Sequence, residues 1–311
     1  MMSLSRKDRI LGGIWGLLIG DALGVPYEFN APQDLPTLDR IEFTPPPGFE
    51  RSHSGVLPGT WSDDGAQALC LLDSLLTCKT FNVNDFASRL LNWYEQGLWA
   101  VDNKVFDVGN QTARSLVSIR MGKLPLESGF VIPEGKGNGS LMRVLPLALW
   151  HKGTDAELVN FAHSQSMVTH GHVCNQVCCA LYCLWARKLL DAHPVEEAYK
   201  QAVSKLRQIY SEDSQHYYEL ERTIRPDDHP IGKGGGYVVD SLRSVRMVLY
   251  KAASYEMVVK AAVALGDDTD TTAAIAGGLA GIYYGFDSIP KRWFMELRGK
   301  ELVQPLLKDL L

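Results

Sequence analysis

Apolar residues recur at i, i+3 and i+4 through much of the chain, in "VNDFASRLLNWYEQ" (83–96), "DAELVNFAHSQSMVTH" (155–170), "HVCNQVCCALYCLWARKLLDA" (172–192), "VEEAYKQAVSKLRQIY" (195–210) and "DSLRSVRMVLYKAASYEMVVKAAVAL" (240–265). That period is the signature of helices with one buried face. Alternating strand-like runs are scarce. Caps punctuate the helices: Asn84-Asp85 before one, Thr154-Asp155 before another, Pro194 at the start of a third. Long loops separate them at 30–59, 121–140 and 222–236, each rich in glycine or proline. Loops of that length in compact domains usually carry function. No repeat or charged linker divides residues 1–311, so the pattern predicts one all-α domain.

Two departures from simple amphipathicity stand out. "GIWGLLIGDALGVPYEF" (13–29) is apolar on every face, with Gly12, Gly13, Gly16 and Gly20 spaced for close helix packing. A basic start before a short apolar run also resembles a signal peptide, but Asp8 interrupts the basic region. No segment is expected to offer the roughly 20 apolar residues of a membrane span. The second departure, "LGDDTDTTAAIAGGLAGIYYG" (265–285), sets Asp267, Asp268 and Asp270 ahead of a run of small residues.

Two unit charges about 4 Å apart repel by roughly 4 kcal/mol at an effective dielectric near 20. A crowd of acids at the edge of a core therefore calls for a cation. A second crowd, Ser62, Asp63 and Asp64, precedes the apolar run 65–76. Each alone reads as a helix cap with dipole-favoured acids, worth about 1 kcal/mol. Together they offer oxygen-only donors suited to Mg²⁺ or Mn²⁺, and two facing half-sites could hold two ions. Gly135, Gly137 and Gly139, with Asn138 and Ser140, lead into another helix, as does "DVGNQTARSL" (107–116). Such helix starts bind anions through free N–H groups. Two of them beside a hard-metal site suggest a ligand with phosphates and a diol.

Composition narrows the field. The net charge of −5 argues against a general nucleic-acid binder. Six cysteines include Cys174, Cys178, Cys179 and Cys183 near His170 and His172, but Cys178 and Cys179 point about 100° apart on a helix and no Cys-x-x-Cys pair exists. Core packing in a reduced, cytoplasmic protein is the expectation.

The ordered segments 13–29, "GTWSDDGAQAL" (59–69), "DVGNQTARSL", "GNGSLMRVLPLAL" (137–149), "VTHGH" (168–172), "GGGYVVDSL" (234–242) and 265–285 resemble the ADP-ribosylglycohydrolase family, which includes the dinitrogenase reductase-activating glycohydrolase. The resemblance implies an all-α fold with two Mg²⁺ or Mn²⁺ ions in a central cleft. It implies metal ligation by Ser62, Asp63, Asp64, Asp268, Asp270 and Thr271. Ser62 stands where the family usually has threonine and keeps the hydroxyl; Asp267 replaces a family glycine. By the same resemblance Glu28 lies over the cleft, Gly109, Asn110 and Gln111 cradle a diphosphate, and Gly137, Asn138, Gly139 and Ser140 line the ribose side. His170 faces ADP-ribose, and Gly236 and Tyr237 flank the nucleoside.

The implied reaction is hydrolysis at ribose C1″ that frees ADP-ribose from a modified protein side chain, an arginine-type linkage being favoured. Carboxylates flank the oxocarbenium-like state of such reactions, and Glu28, Asp63 and Asp268 are the candidate catalytic groups. Competing readings are a hydrolase of free ADP-ribose derivatives or ADP-ribosylated nucleic acid, a binding protein without catalysis, and an immunity factor countering an ADP-ribosylating toxin. No membrane partner is expected.

Overall fold

A computed structural model describes residues 4–311. Its helices are α1 (Arg6–Gly24), α2 (Asp63–Cys78), α3 (Val83–Gln96), α4 (Asn110–Arg120), α5 (Pro125–Ser128), α6 (Leu145–Trp150), α7 (Asp155–Met167), α8 (Val173–Leu190), α9 (Val195–Ile209), α10 (Gln215–Tyr218), α11 (Val238–Lys251), α12 (Tyr255–Val263), α13 (Thr269–Tyr284), α14 (Lys291–Glu296) and α15 (Lys300–Leu310). Among the described residues there is no strand, only an isolated antiparallel bridge between Gly137 and Tyr237. The all-α expectation holds.

The centre of the fold is the antiparallel pair α1–α13, its most extensive helix contact. Both helices are buried along nearly their whole length. Glycine makes this possible. A methyl built at Gly12 would overlap the backbone of Gly281, one at Gly16 that of Gly277, and one at Gly20 that of Ala273, each closer than the 3.0 Å that real Cβ atoms respect. Tyr255 Oη donates to Gly16 O (2.9 Å) and Tyr182 Oη to Ile275 O (2.9 Å), pinning α12 and α8 to the pair. The segment Arg6–Tyr27 is, contrary to expectation, long and apolar enough by composition to cross a membrane, but 94% of its apolar window is buried inside the protein.

Three details differ from the sequence pattern. The helix expected over 240–265 is two helices, α11 and α12, because Ala252 turns extended and Ser254 caps Met257 N (3.3 Å). The cap of α3 is Asn82, whose side chain accepts from Asn84 N (3.0 Å) and Asp85 N (3.1 Å). Loop 121–140 contains the one-turn helix α5. Cys174, Cys178, Cys179 and Cys183 are all buried and unpaired on α8, as core packing requires.

Loop 30–59 folds back over one end of α1. Tyr27 Oη donates to Glu42 O (2.8 Å) and accepts from Glu42 N (3.0 Å). The Glu42 carboxylate takes Lys260 (3.2 Å) and Arg292 (2.9 Å), and Ser52 Oγ donates to Glu28 O. The loop is thus tied down beside the two acid-bearing helix starts.

Candidate functional site

Antiparallel packing of α1 and α13 brings the start of α13 to the end of α1, and α2 begins alongside. Asp21, on α1, accepts from Ser62 N through Oδ1 and from Gly65 N through Oδ2, both at 2.8 Å. It thereby satisfies two donors that α2 leaves open at its N-terminus. No local pattern signals this role, since Asp21 sits within an apolar run. Asp267 is exposed and sits at φ 57°, next to Gly266 at φ 76°. Aspartate tolerates that left-handed turn better than most residues. Backbone bonds Phe29 N→Asp267 O (2.7 Å) and Asp267 N→Asn30 O (2.9 Å) lock the turn to the chain after Glu28.

The two acid clusters meet. Thr271 Oγ1 donates to Asp64 Oδ2 (3.1 Å), as does Ser62 Oγ (3.2 Å). Oxygens of Glu28, Asp268 and Asp270 lie within 4.8 Å of one another. Asp268 Oδ2 accepts from Asn138 (2.8 Å) and Asp63 Oδ2 from Gln67 (2.8 Å). Ser62, Asp63, Asp64, Asp270 and Thr271 are buried, and Asp64 Oδ1 and Asp270 Oδ2 have no hydrogen-bond partner. Burial first, and neighbouring carboxylates second, push Asp63, Asp64 and Asp270 well above the usual carboxylate range. Asp268 is raised by burial against the opposing Asn138 bond. Two helix N-termini aimed at the cluster favour its negative charge but do not offset its burial. Crowded, desolvated, oxygen-only donors with two open acceptor atoms fit a hard divalent cation.

Above this floor opens a cleft of about 390 Å³. Glu28, Asp63, Gly109, Asn110, Gln111, Gly137, Asn138, Gly139, His170, Asp268 and Thr271 line it. Gly236 and Tyr237 line a second recess of about 500 Å³ that shares Gly137 with the first. Ser62, Asp64 and Asp270 lie beneath the lining. Ser140 is also outside it: fully buried, its hydroxyl pairs with Ser166 Oγ (2.8 Å). Helix α4 starts at Gly109 with no side-chain cap, so its first N–H groups face the cleft free. Gln111 spends its amide on Gly135 O and Thr169 O, both 3.1 Å, tying α4 to neighbouring loops. A roomier cavity, about 570 Å³, lies among Leu38, α11 and α12 and contains none of the clustered acids.

Two further groups come from segments far apart in the chain. His53, on loop 30–59, bonds Glu28 Oε2 through Nε2 (2.7 Å) and lies 3.8 Å from Asp107 Oδ1. Glu28 is only 4% exposed, and burial lifts it to about 7 against the His53 bond. Asp107 is raised by burial, with His53 opposing, and the bond to Glu28 raises His53. Asp107 opened the "DVGNQTARSL" segment in plain view; His53 had no signal beyond the length of its loop.

The chain matches the family model described as ADP-ribosylglycohydrolase over residues 2–311. It is 28% identical over 306 residues to the ADP-ribosylarginine hydrolase Tri1 of Serratia proteamaculans, covering 97% of this chain and 79% of that protein. It is 27% identical over 308 residues to the ADP-ribosyl-[dinitrogen reductase] glycohydrolase of Rhodospirillum rubrum, covering 96% and 94%. A solved structure titled "ADP-ribosylglycohydrolase-related protein complex" superposes with a TM-score of 0.81 at 30% identity, covering 98% of both chains.

Proposed function

The chain belongs to the ADP-ribosylglycohydrolase family, and from that premise we propose that it hydrolyses the C1″ bond joining ADP-ribose to an arginine side chain of a modified protein. It is a hydrolase acting on ADP-ribosyl linkages, and ADP-ribose is the product. The observation carrying the reading is the meeting of two acid-bearing helix starts under a cleft whose rim offers free backbone N–H groups. Relatives acting on ADP-ribosylarginine and ADP-ribosyl-dinitrogen reductase favour a protein substrate and a nitrogen linkage. Residues 1–311 act as one domain, and six unpaired cysteines suit the cytoplasm.

Ser62, Asp63, Asp64, Asp268, Asp270 and Thr271 hold two Mg²⁺ or Mn²⁺ ions in this reading. Bound there, the metal supplies orientation of the sugar hydroxyls and acidification of a water. The N-terminus of α4, at Gly109, Asn110 and Gln111, binds the diphosphate, while Gly137, Asn138 and Gly139 line the ribose. Gly236 and Tyr237 flank the nucleoside in the adjoining recess. Glu28 transfers the proton at Oε1, the oxygen that His53 leaves free: with its carboxyl lifted to about 7, both protonation states are populated near neutrality. His53 orients that carboxyl. Asp63 and Asp268 act as electrostatic partners held by Gln67 and Asn138, and Asp107 and Glu28 offer two carboxylates to an incoming guanidinium.

A panel of ADP-ribosyl-arginine, ADP-ribosyl-serine, O-acetyl-ADP-ribose and ADP-ribosylated nucleic acid, each with Mg²⁺, Mn²⁺ or EDTA, tests the reading. ADP-ribose release from the arginine conjugate, abolished by EDTA and by Asp268→Ala, is expected. Release from an oxygen-linked substrate with the arginine conjugate untouched would overturn the linkage.

A further inference from the structure

Beneath the cleft, one buried cation joins its two walls, and no acid touches it. Arg143, just before α6, is fully buried. Its Nε donates to Gln165 Oε1 (3.1 Å), Nη1 to Gln67 Oε1 (2.8 Å), and Nη2 to Gln165 O (3.0 Å) and Thr169 Oγ1 (2.8 Å). The Phe86 ring lies 5.4 Å from the guanidinium carbon. A desolvated guanidinium served by neutral acceptors is expensive, and a core of this size has apolar residues to fill the space instead. What the cation does provide is direction, because arginine only donates.

Its first arm determines a proton. Thr169 Oγ1 accepts from Arg143, so its own hydroxyl proton needs an acceptor, and the remaining neighbour is His170 Nδ1 at 2.7 Å. A proton on Nδ1 instead would leave the Thr169 hydroxyl proton buried with nothing to accept it. His170 therefore accepts at Nδ1 and carries its proton on Nε2. That atom has no protein partner among the described residues, and it faces the loop glycines: a methyl built on Gly137 would stand 3.5 Å from it. The second arm works on the opposite wall. Gln67 turns its amide oxygen to Arg143, so its NH₂ points to Asp63 Oδ2 (2.8 Å).

We propose that Arg143 is a positioning residue that, through Thr169, locks His170 as the Nε2–H tautomer and so presents the cleft with a neutral N–H donor for a ligand oxygen, while through Gln67 it holds Asp63 in place. The ligand group recognised is an oxygen acceptor, a phosphoryl or hydroxyl oxygen, bound between residues 137–139 and the start of α4; this part rests on the functional reading above. The lock itself does not. Burial, then the charge of Arg143, push His170 down to about 3, so the ring stays neutral and its donor is available throughout the working pH range.

The test is the nitrogen spectrum of the imidazole rings in full-length protein labelled at histidine, with His170→Asn used to assign the signal. Wild type is expected to show one fixed tautomer with Nδ1 unprotonated. Thr169→Val should release it into a mixture and weaken ADP-ribose binding by about tenfold or more, Thr169→Ser should restore both, and Arg143→Lys, which cannot reach Thr169 and Gln67 together, should release it as Thr169→Val does. A wild-type proton on Nδ1, or a tautomer unchanged in Thr169→Val, would overturn the inference. An Nε2–H tautomer in a protein that fails to bind ADP-ribose would instead overturn the functional reading.

Discussion

Substituting Gly20 by alanine perturbs the junction on which the acid clusters depend. The new methyl would overlap Ala273 O at under 3.0 Å, where ordinary contact begins at 3.4 Å. Neither backbone can rotate out of the way, so α1 and α13 must part there, by roughly 1 Å. Overpacking of this kind costs about 1–3 kcal/mol of stability. Ala273 is three residues from Asp270, about 4.5 Å along the axis, so the parting also moves Asp270 and Thr271 away from Asp64. A displacement of ~1 Å in a reacting constellation costs about 10²-fold.

Gly12→Ala is the matched control. It meets Gly281 with the same kind of backbone overlap, but about 16 Å along α13 from Asp270. Both variants should lose similar stability in urea unfolding. In calorimetric titration with Mn²⁺ and in turnover of ADP-ribosyl-arginine, Gly20→Ala should fall by about two orders of magnitude and Gly12→Ala by less than about threefold. Equal losses in the two variants, or full metal affinity in Gly20→Ala, would refute the reasoning.

Asp64→Asn removes one buried, repelled carboxylate, so the EDTA-treated variant should unfold at higher urea than EDTA-treated wild type at pH 8. It should also lose most of the stabilisation that metal confers, which is about 2.7 kcal/mol at a hundred times Kd. Metal-free wild type should lose stability as pH rises. A carboxyl lifted from 4.5 to about 7, as in Glu28, favours the fold fully below its unfolded pKa. That contribution, on the order of 3 kcal/mol, is gone once pH passes about 7. Urea midpoints between pH 4.5 and 8 check this, and a midpoint that rises across the range would contradict it. Glu28→Gln should lower kcat by about 10²–10⁴-fold while ADP-ribose affinity, read by calorimetry, stays within about threefold.

How much of this was legible depended on how locally each feature is encoded. The glycines of α1 and α13 announced a close helix pair because their spacing repeats at the helical period, and the structure pairs them. The clusters 62–64 and 268–271 were visible as hydroxyl-and-acid groups at helix starts. Their meeting was not, since 207 residues separate Asp64 from Thr271 and only the α1–α13 packing joins them. The break at Ala252–Ser254 was hidden because α11 and α12 share one apolar period across it. Asn82 was missed as the cap of α3 in favour of the next polar pair. Asp21 and Arg143 were invisible for a different reason: each is a charged residue serving buried partners from distant segments, and no local pattern encodes that. His53 joins Glu28 only because loop 30–59 is tied back by Tyr27, Glu42 and Ser52.

Central to the account is a divalent-metal site formed by the starts of α2 and α13 and required for hydrolysis. Its most direct test is to strip the protein with EDTA, titrate Mn²⁺ back while counting bound ions, and follow ADP-ribosyl-arginine turnover in the same samples. Turnover that starts near zero and returns as two ions bind per chain is the predicted result. Turnover that survives complete stripping, or ions that bind equally well to Asp64→Asn, would contradict it.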